Sequence, residues 1–415
     1  MQIYRAPVVL PVSAPPIRDG AVAVNAGRIV SVTRVEHAPP GDVREFDGVL
    51  LPGLVNAHTH LCFSAYADMY GNGKEFSEWI GEFARRNPTM SDSAWRESAR
   101  LGVDASLRAG TTGVADVVTP PQALPVLLDS GLAGTLFFEA CFIDKRRWAE
   151  YREEFVKIVD EAFGRRDVRD ADPRVGVSPH TLYTLGRTVG VDLAEIARER
   201  GMRLHPHLAE TAHEDAYVRE GAGVFADMVS ALDAEFELLD GGSGVSPTSE
   251  MDRWGLLGSD SHVAHGVHLD AADRALLRDR GVSVAMCARS NARLESGEPP
   301  VAAHRAEGNP VAVGTDSLTS SPDLDVSAEL PILRSIALRQ GDDGDGLDEW
   351  LVRAATQGGA LAMGRRDFGV LEVDARADLA VFDVDAGDDP YAAFVSDAAG
   401  ACTATVLAGE LIEHR

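Results

Sequence analysis

Cysteine, lysine and long apolar runs are all scarce in this chain, and each scarcity removes a class of answers. Four cysteines occur, Cys62, Cys141, Cys287 and Cys402, with no paired spacing. That pattern suits neither a disulfide framework nor a zinc finger, and a reducing, cytoplasmic compartment is expected. No stretch approaches the roughly 20 apolar residues of a membrane helix, so no membrane partner is expected. The opening "MQIYRAPVVLPVSAPP" has one arginine and a short apolar run cut by prolines, which makes a poor secretory leader. Basic residues are outnumbered, 39 against 65 acids, for a net charge of −26. Such a surface repels phosphate backbones, so no nucleic-acid partner is expected, and the dispersed acids serve solubility. Lysine is nearly missing, with only Lys74, Lys145 and Lys157.

What is present is organised. Residues 20–35, "GAVAVNAGRIVSVTRV", alternate around Asn25-Ala26-Gly27, a hairpin signal. The last fifty residues carry similar short β segments. Neither end suffices for a stable sheet alone. The expectation is therefore a small β-sandwich domain assembled from both termini, residues 1–52 plus 366–415. Between them, eight apolar runs alternate with amphipathic segments such as "SAWRESARLGVDASLRAG" and "VGVDLAEIARERG". Eight strands with helical crossovers over residues 53–365 predict an α/β fold, a (β/α)8 TIM-type barrel. An open doubly wound sheet competes, but no Gly-rich phosphate turn follows the first run.

In a barrel the site lies at the carboxyl ends of the strands, and the ligand-type residues fall there. The first run ends with His58 and His60, which share a face because strand side chains repeat every two residues. The fourth ends with His180, the fifth with His207 and Glu210, the sixth carries His265 and His268, and the eighth ends with Asp316. Three neutral imidazoles and a carboxylate, with room for water, suit Zn²⁺ or Fe²⁺ in an open catalytic site. Each single residue also has a plainer reading. His205, His262 and His268 are read as hydrogen-bonded core histidines, with His205 deeper on the strand of His207 and a partner for a ligand. His37, His213, His304 and His414 are read as surface residues. Asp316 alone would serve as a helix cap, but the adjacent Gly314 indicates tight packing around a functional carboxylate.

"LPGLVNAHTHL", "HPHLAET", "AHGVHLD", "SNARLESG" and "VAVGTDS" occur in order along nearly the whole chain. Together they resemble the amidohydrolase superfamily, in its branch of cytosine, guanine and S-adenosylhomocysteine deaminases and triazine hydrolases. The resemblance implies one divalent metal, zinc before iron, held by His58, His60, His207 and Asp316. It implies that His265 polarises the reacting centre, that Glu210 protonates a ring nitrogen, and that Asp316 takes a proton from water. His180, Trp79, Arg289 and Asn291 become substrate contacts, although Arg289 is equally suited to pairing with surface acids. The dinuclear branch needs a carboxylated lysine after the fourth strand, and "RVGVSPHT" has none, so one metal is expected. Zinc lowers the pKa of bound water to about 7, which makes hydroxide available for attack on a C=N carbon.

The implied activity is hydrolytic deamination of an amino-substituted heterocycle, a small-molecule substrate. Hydrolysis of a cyclic amide or of a carbon–halogen bond is the alternative, and a metal-free scaffold is a third reading that the intact ligand set disfavours. In "EFSEWIGEF", aligned on Trp79, Ser77 stands where nucleoside deaminases carry a ribose-binding acid; Glu75 or Glu78 could substitute. Relatives in this branch often form homo-oligomers.

Overall fold

The computed structural model describes residues 1–72, 76–164, 172–232 and 234–413. All eight middle runs form strands. Strands β6 (Leu54–Thr59), β7 (Thr111–Val118), β8 (Ala133–Ala140) and β9 (Arg174–Pro179) make one four-stranded parallel sheet in that order. Strands β10 (His207–Leu208), β11 (His262–His265), β12 (Ser283–Met286) and β13 (Val311–Val313) make a second. Leu204 joins the two, bridging in parallel to Val177 on one side and Ser261 on the other. At the opposite edges, the amides of Thr315 and Asp316, just past β13, both donate to the His58 carbonyl in β6. Every residue of β7 and β8 is buried, as expected of strands covered on both faces.

Helices separate these strands, including Asp92–Arg108 before β7, Lys145–Gly164 before β9 and Arg187–Glu199 before β10. The first begins at Ser91, whose hydroxyl accepts from the Ala94 amide. It buries Trp95, Ser98, Ala99, Gly102, Val103 and Ser106, a stripe at helical spacing. Gly102 is required where this helix crosses the segment after β6. A Cβ there would lie 2.7 Å from the Leu61 carbonyl oxygen.

The termini do combine. Strands β1 (Gln2–Val9), β2 (Ile17–Asn25), β3 (Arg28–Arg34), β4 (Asp42–Glu45) and β5 (Val49–Pro52) join β14 (Leu379–Phe382), β15 (Cys402–Leu407) and β16 (Glu410–Glu413). Where a two-sheet sandwich is expected, they form one eight-stranded sheet, ordered β16-β15-β14-β5-β1-β2-β3 with β4 beside β1. The β2–β3 hairpin turns at Ala26 and Gly27, both with positive φ (48° and 75°), as a primed turn requires. Alternation explains how the sheet attaches. Val49, Leu51, Ala380 and Phe382 pack into the main core, while Leu50, Leu379 and Val381 face a separate cluster with Tyr4, Val22 and Val406. Charge ties the same seam: buried Arg365 and half-buried Arg376 both bond Asp172, at 2.6 and 2.8 Å. An open depression of about 840 Å³ lies beside this seam, with Asp172, Asp367 and Arg376 in its lining.

Candidate metal centre and active site

The strand-end histidines converge. His58 and His60 lie at and just past the end of β6, and His207 opens β10. Ligand-capable nitrogens of these three are mutually within 4.8 Å. Nε2 of His60 lies 3.3 Å from Nε2 of His207. Oδ1 of Asp316 lies 3.6 Å from Nε2 of both His58 and His60. Four donors around a zinc ion, with bonds of about 2.0–2.1 Å, stand roughly 3.4 Å apart. The 3.3 and 3.6 Å separations fit that spacing.

The hydrogen bonds settle what those atoms present. The His262 carbonyl can only accept, so Nδ1 of His205, 3.0 Å away, donates to it. Neutral His205 then accepts at Nε2 from His58 Nδ1, at 2.9 Å. His58 is thereby left with a bare lone pair on Nε2, which is buried and has no hydrogen-bond partner. Burial lowers the pKa of His58, His60 (to about 3) and His207, the neighbouring imidazoles adding to it, and keeps the rings neutral. Asp316 is oriented by two hydroxyls: Ser290 and Ser320 donate to Oδ2 at 2.8 and 2.7 Å, turning Oδ1 to the histidines. Lone pairs and a carboxylate facing one another in a buried pocket are satisfied by a cation. The donor set therefore fits a divalent metal.

The backbone is bent to achieve this. Ala209, His265 and Asp316 have φ of 51°, 71° and 59°, the left-handed region that costs a non-glycine residue energy. Gly314 permits the close crossing of β13 over β6, because a Cβ there would stand 2.8 Å from His58 Cβ.

A cavity of about 290 Å³ opens onto this cluster. His60, His207, Asp316, His180, Glu210, His265 and Trp79 line it, so most of the sequence-derived site residues meet there. Glu210 Oε1 lies 3.8 Å from His265 Nε2. Burial pushes the Glu210 carboxyl well above the ordinary range, Asp316 adding to it, which favours its protonated form. His265 is oriented by Asn291, whose Oδ1 lies 3.0 Å from Nδ1. Trp79 donates its indole N–H to the Thr319 carbonyl at 3.3 Å, which ties the helix Phe76–Arg86 to the segment after β13. His180 Nδ1 contacts the Thr184 hydroxyl at 2.9 Å.

Two expected substrate contacts fall elsewhere. Arg289 does not line the cavity; its guanidinium bonds buried Glu329 at 2.6 Å and Asp323 at 2.8 Å. An arginine committed to two acids is structural here. Asn291 also stands behind the wall, holding His265. Of the histidines read as surface residues, His304 is instead fully buried and bonded to Asn309, while His414 and Glu75 lie outside the described residues, as does the side chain of Ser77. Glu139 was not singled out by the sequence reading, yet it lines the cavity. Burial pushes its carboxyl up to about 7. The available signal was a lone acid ending the otherwise apolar run "GTLFFEA".

The amidohydrolase family model matches residues 49–412 of this chain. The chain belongs to the amidohydrolase family. It is 32% identical over 379 residues to the 5-methylthioadenosine/S-adenosylhomocysteine deaminase of Halobacterium salinarum, covering 89% of this chain and 81% of that one. It is 33% identical over 327 residues to the aminodeoxyfutalosine deaminase of Deinococcus radiodurans, covering 77% and 74%. Among solved structures, a zinc-bound adenosine deaminase from Xanthomonas campestris superposes with a TM-score of 0.82 at 26% identity, covering all of this chain and 94% of that one. The zinc-bound atrazine chlorohydrolase of Arthrobacter aurescens superposes with a TM-score of 0.83 at 20% identity, covering 100% and 95%, a likeness of fold. This amidohydrolase is thus of TIM-barrel type, and it is a metal-dependent hydrolase of non-peptide C–N bonds.

Proposed function

We propose that this amidohydrolase deaminates an amino-substituted heterocycle, with one zinc ion held by His58, His60, His207 and Asp316. The observation that carries the reading is Glu210 facing the same cavity as the donor cluster, 3.8 Å from His265, with burial pushing its carboxyl up. A carboxylic acid kept neutral at pH 7 is suited to protonate a ring nitrogen as its neighbouring carbon is attacked. The two deaminases that share 32–33% identity with the chain support ammonia as the leaving group. We read the eight parallel strands as a closed barrel spanning residues 53–365, and residues 1–52 and 366–415 as its companion domain.

The zinc ion would supply Lewis acidity and a nucleophile of hydroxide character at neutral pH. The protein's residues supply the rest. Glu210 gives its proton to the ring nitrogen, which draws electrons out of the C=N bond. His265, held by Asn291, hydrogen-bonds the oxygen that adds to the carbon. Asp316 accepts the proton released from that oxygen on Oδ1, its Oδ2 being occupied by Ser290 and Ser320. That proton then passes to the exocyclic nitrogen, and the C–N bond breaks with loss of ammonia. The aromatic wall of Phe63, Trp79 and Phe83 excludes water.

Ammonia release from aminopurines, aminopyrimidines, pterins and aminotriazines tests the reading. Glu210→Gln should retain one zinc per chain and lose ~100- to 10,000-fold in kcat, the usual contribution of general acid–base catalysis. Full turnover by Glu210→Gln would remove it from the mechanism. Hydrolysis of a cyclic amide or a chlorinated ring without ammonia would replace the deaminase assignment.

A further inference from the structure

Glu139 is a buried acid whose free oxygen the reaction above does not use. It ends β8, with 7% of its surface exposed, on the wall of the same cavity. Thr119 donates to Oε2 at 2.7 Å, which fixes the carboxyl in place. Oε1 has no hydrogen-bond partner. It lies 3.9 Å from Nε2 of His180, also on the wall. That gap exceeds a direct hydrogen bond, and one polar atom about 2.8 Å from each fits between them. A buried acceptor left without a donor costs about as much as a broken hydrogen bond, so the arrangement is built for a third group.

Its place in the barrel says which part of the substrate reaches it. Glu139, His180, His207 and His265 come from β8, the end of β9, β10 and β11, four successive neighbours. The ring nitrogen and the attacked carbon belong beside Glu210 and His265, on the β10–β11 side. The Glu139–His180 pair therefore meets what extends from the ring toward β8. The rest of the lining is mainly apolar, with Phe63, Phe76, Trp79, Ile80, Phe83 and Phe142, and its other polar groups, Asn87, Thr119, Tyr183 and Ser317, carry no charge. Among the described lining residues none is lysine or arginine, so nothing there neutralises an anionic substituent.

We propose that Glu139, with His180, is the specificity-determining pair that binds a hydroxyl on the substituent of the aminated ring. The substrate class is then a neutral hydroxylated derivative of the heterocycle, such as a nucleoside, in preference to the bare base or an anionic derivative. The inference rests on the deaminase reading and narrows it.

The test measures ammonia release by the zinc-loaded wild type, Glu139→Leu and Glu139→Gln. Substrates are adenine, adenosine, and the 2′-, 3′- and 5′-deoxyadenosines, with zinc content measured for each variant. The wild type is expected to prefer adenosine to adenine and to lose roughly 10- to 100-fold in kcat/KM on one deoxy analogue, the usual worth of a hydrogen bond to a charged group. Glu139→Leu should lose a similar factor on adenosine, mainly through KM, and change that deoxy analogue less than threefold. Glu139→Gln, which keeps an acceptor, should fall between. Equal losses on every substrate, or wild-type KM throughout, would overturn the pairing. Deamination confined to the bare base would overturn it while the deaminase reading stood. Ammonia from none of these, but from another amino-heterocycle lacking hydroxyls, would do the same. Ammonia from no amino-heterocycle at all would remove both.

Discussion

The hydrogen-bond chain behind His58 makes a quantitative demand on His205. Its Nε2 accepts from His58 Nδ1 at 2.9 Å, and its ring stacks on His262 with centroids 3.9 Å apart. Replacing His205 with Phe keeps the ring and its stacking but removes the acceptor. The His58 N–H is then buried and unpaired, a cost of about 1–3 kcal/mol. Alternatively the imidazole changes tautomer, puts its proton on Nε2 and ceases to be a ligand. Either way the expected loss is ~10- to 100-fold in metal affinity, the usual effect of removing a partner behind a ligating imidazole. Gln at this position can place its amide oxygen where Nε2 stood, so His205→Gln should recover much of the loss. Zinc competition against a chromophoric chelator, run at one pH for wild type and both variants, reads the affinities directly. If His205→Phe bound zinc as tightly as the wild type, the tautomer argument, and with it the assignment of His58 Nε2 as a donor, would fail.

Other perturbations have equally definite outcomes. Asp316→Ala should purify with a small fraction of the wild-type zinc and no measurable ammonia release; a fully loaded, active variant would break the ligand assignment. Gly314→Ala drives a methyl to 2.8 Å from His58 Cβ and 2.9 Å from Cys287 Sγ, so it should lose about 1–3 kcal/mol to overpacking, seen as a lower urea midpoint. His304 is kept neutral by burial, helped by Arg274, with its pKa lowered to about 4. The unfolded chain takes up this proton near pH 6.5 and the folded chain does not, so His304 costs nothing above that pH and destabilises progressively as pH falls to 4. The total is about 3 kcal/mol at ~1.4 kcal/mol per unit. His304→Asn, which keeps an acceptor for Asn309, should shed that part of the acid-induced loss, read as a smaller difference in urea unfolding between pH 7 and pH 4.5.

The eight parallel strands were legible because strands covered on both faces must be apolar throughout, which makes each polar residue at a strand end conspicuous. That is why the strand-end histidines and Asp316 stand out, although choosing His58, His60, His207 and Asp316 from among them as one ligand set rests on the motifs' resemblance to amidohydrolases. The shortest strand, His207–Leu208, shows the limit. Pro206 has no N–H to give to a neighbour, so the ladder there reduces to a bridge at Leu204 and two residues beyond the proline. Pairings between distant segments left no local trace. Nothing in "VLLP" announces that it lies beside Leu379–Phe382, although the join makes a single sheet of the two termini. Arg289 and His304 were obscure for the same reason. The acid that claims Arg289, Glu329, is 40 residues away, and burial of His304 depends on helices packed around it. Asn291 lay in a correctly chosen motif but one layer too deep, serving His265 instead of the substrate.

The strained residues at the site explain how a fold holds four electron-rich atoms together in a buried cavity. A left-handed conformation at Ala209, His265 or Asp316 costs of order 1–3 kcal/mol each, and the positions are not random. Each lies at the carboxyl end of a parallel strand, His265 ending β11 and Ala209 and Asp316 following β10 and β13, where the chain turns beside the cavity. Backbone bonds hold the turns. The Ala209 carbonyl accepts from both Val267 and His268, at 3.0 and 2.9 Å, locking the ends of β10 and β11 to each other. The Asp316 amide is held by the His58 carbonyl at 3.0 Å, so the residue carrying the carboxylate and the residue carrying the imidazole share one hydrogen bond. Side chains complete the restraint, with Ser290 and Ser320 on the carboxylate and His205 behind the imidazole. Little rotamer freedom is left for a cation to remove, and binding energy that would go into ordering the donors appears instead as affinity. The strain and the lone pairs therefore belong to one device: the barrel's core stability maintains an arrangement that is unfavourable locally and complete only around a positive ion.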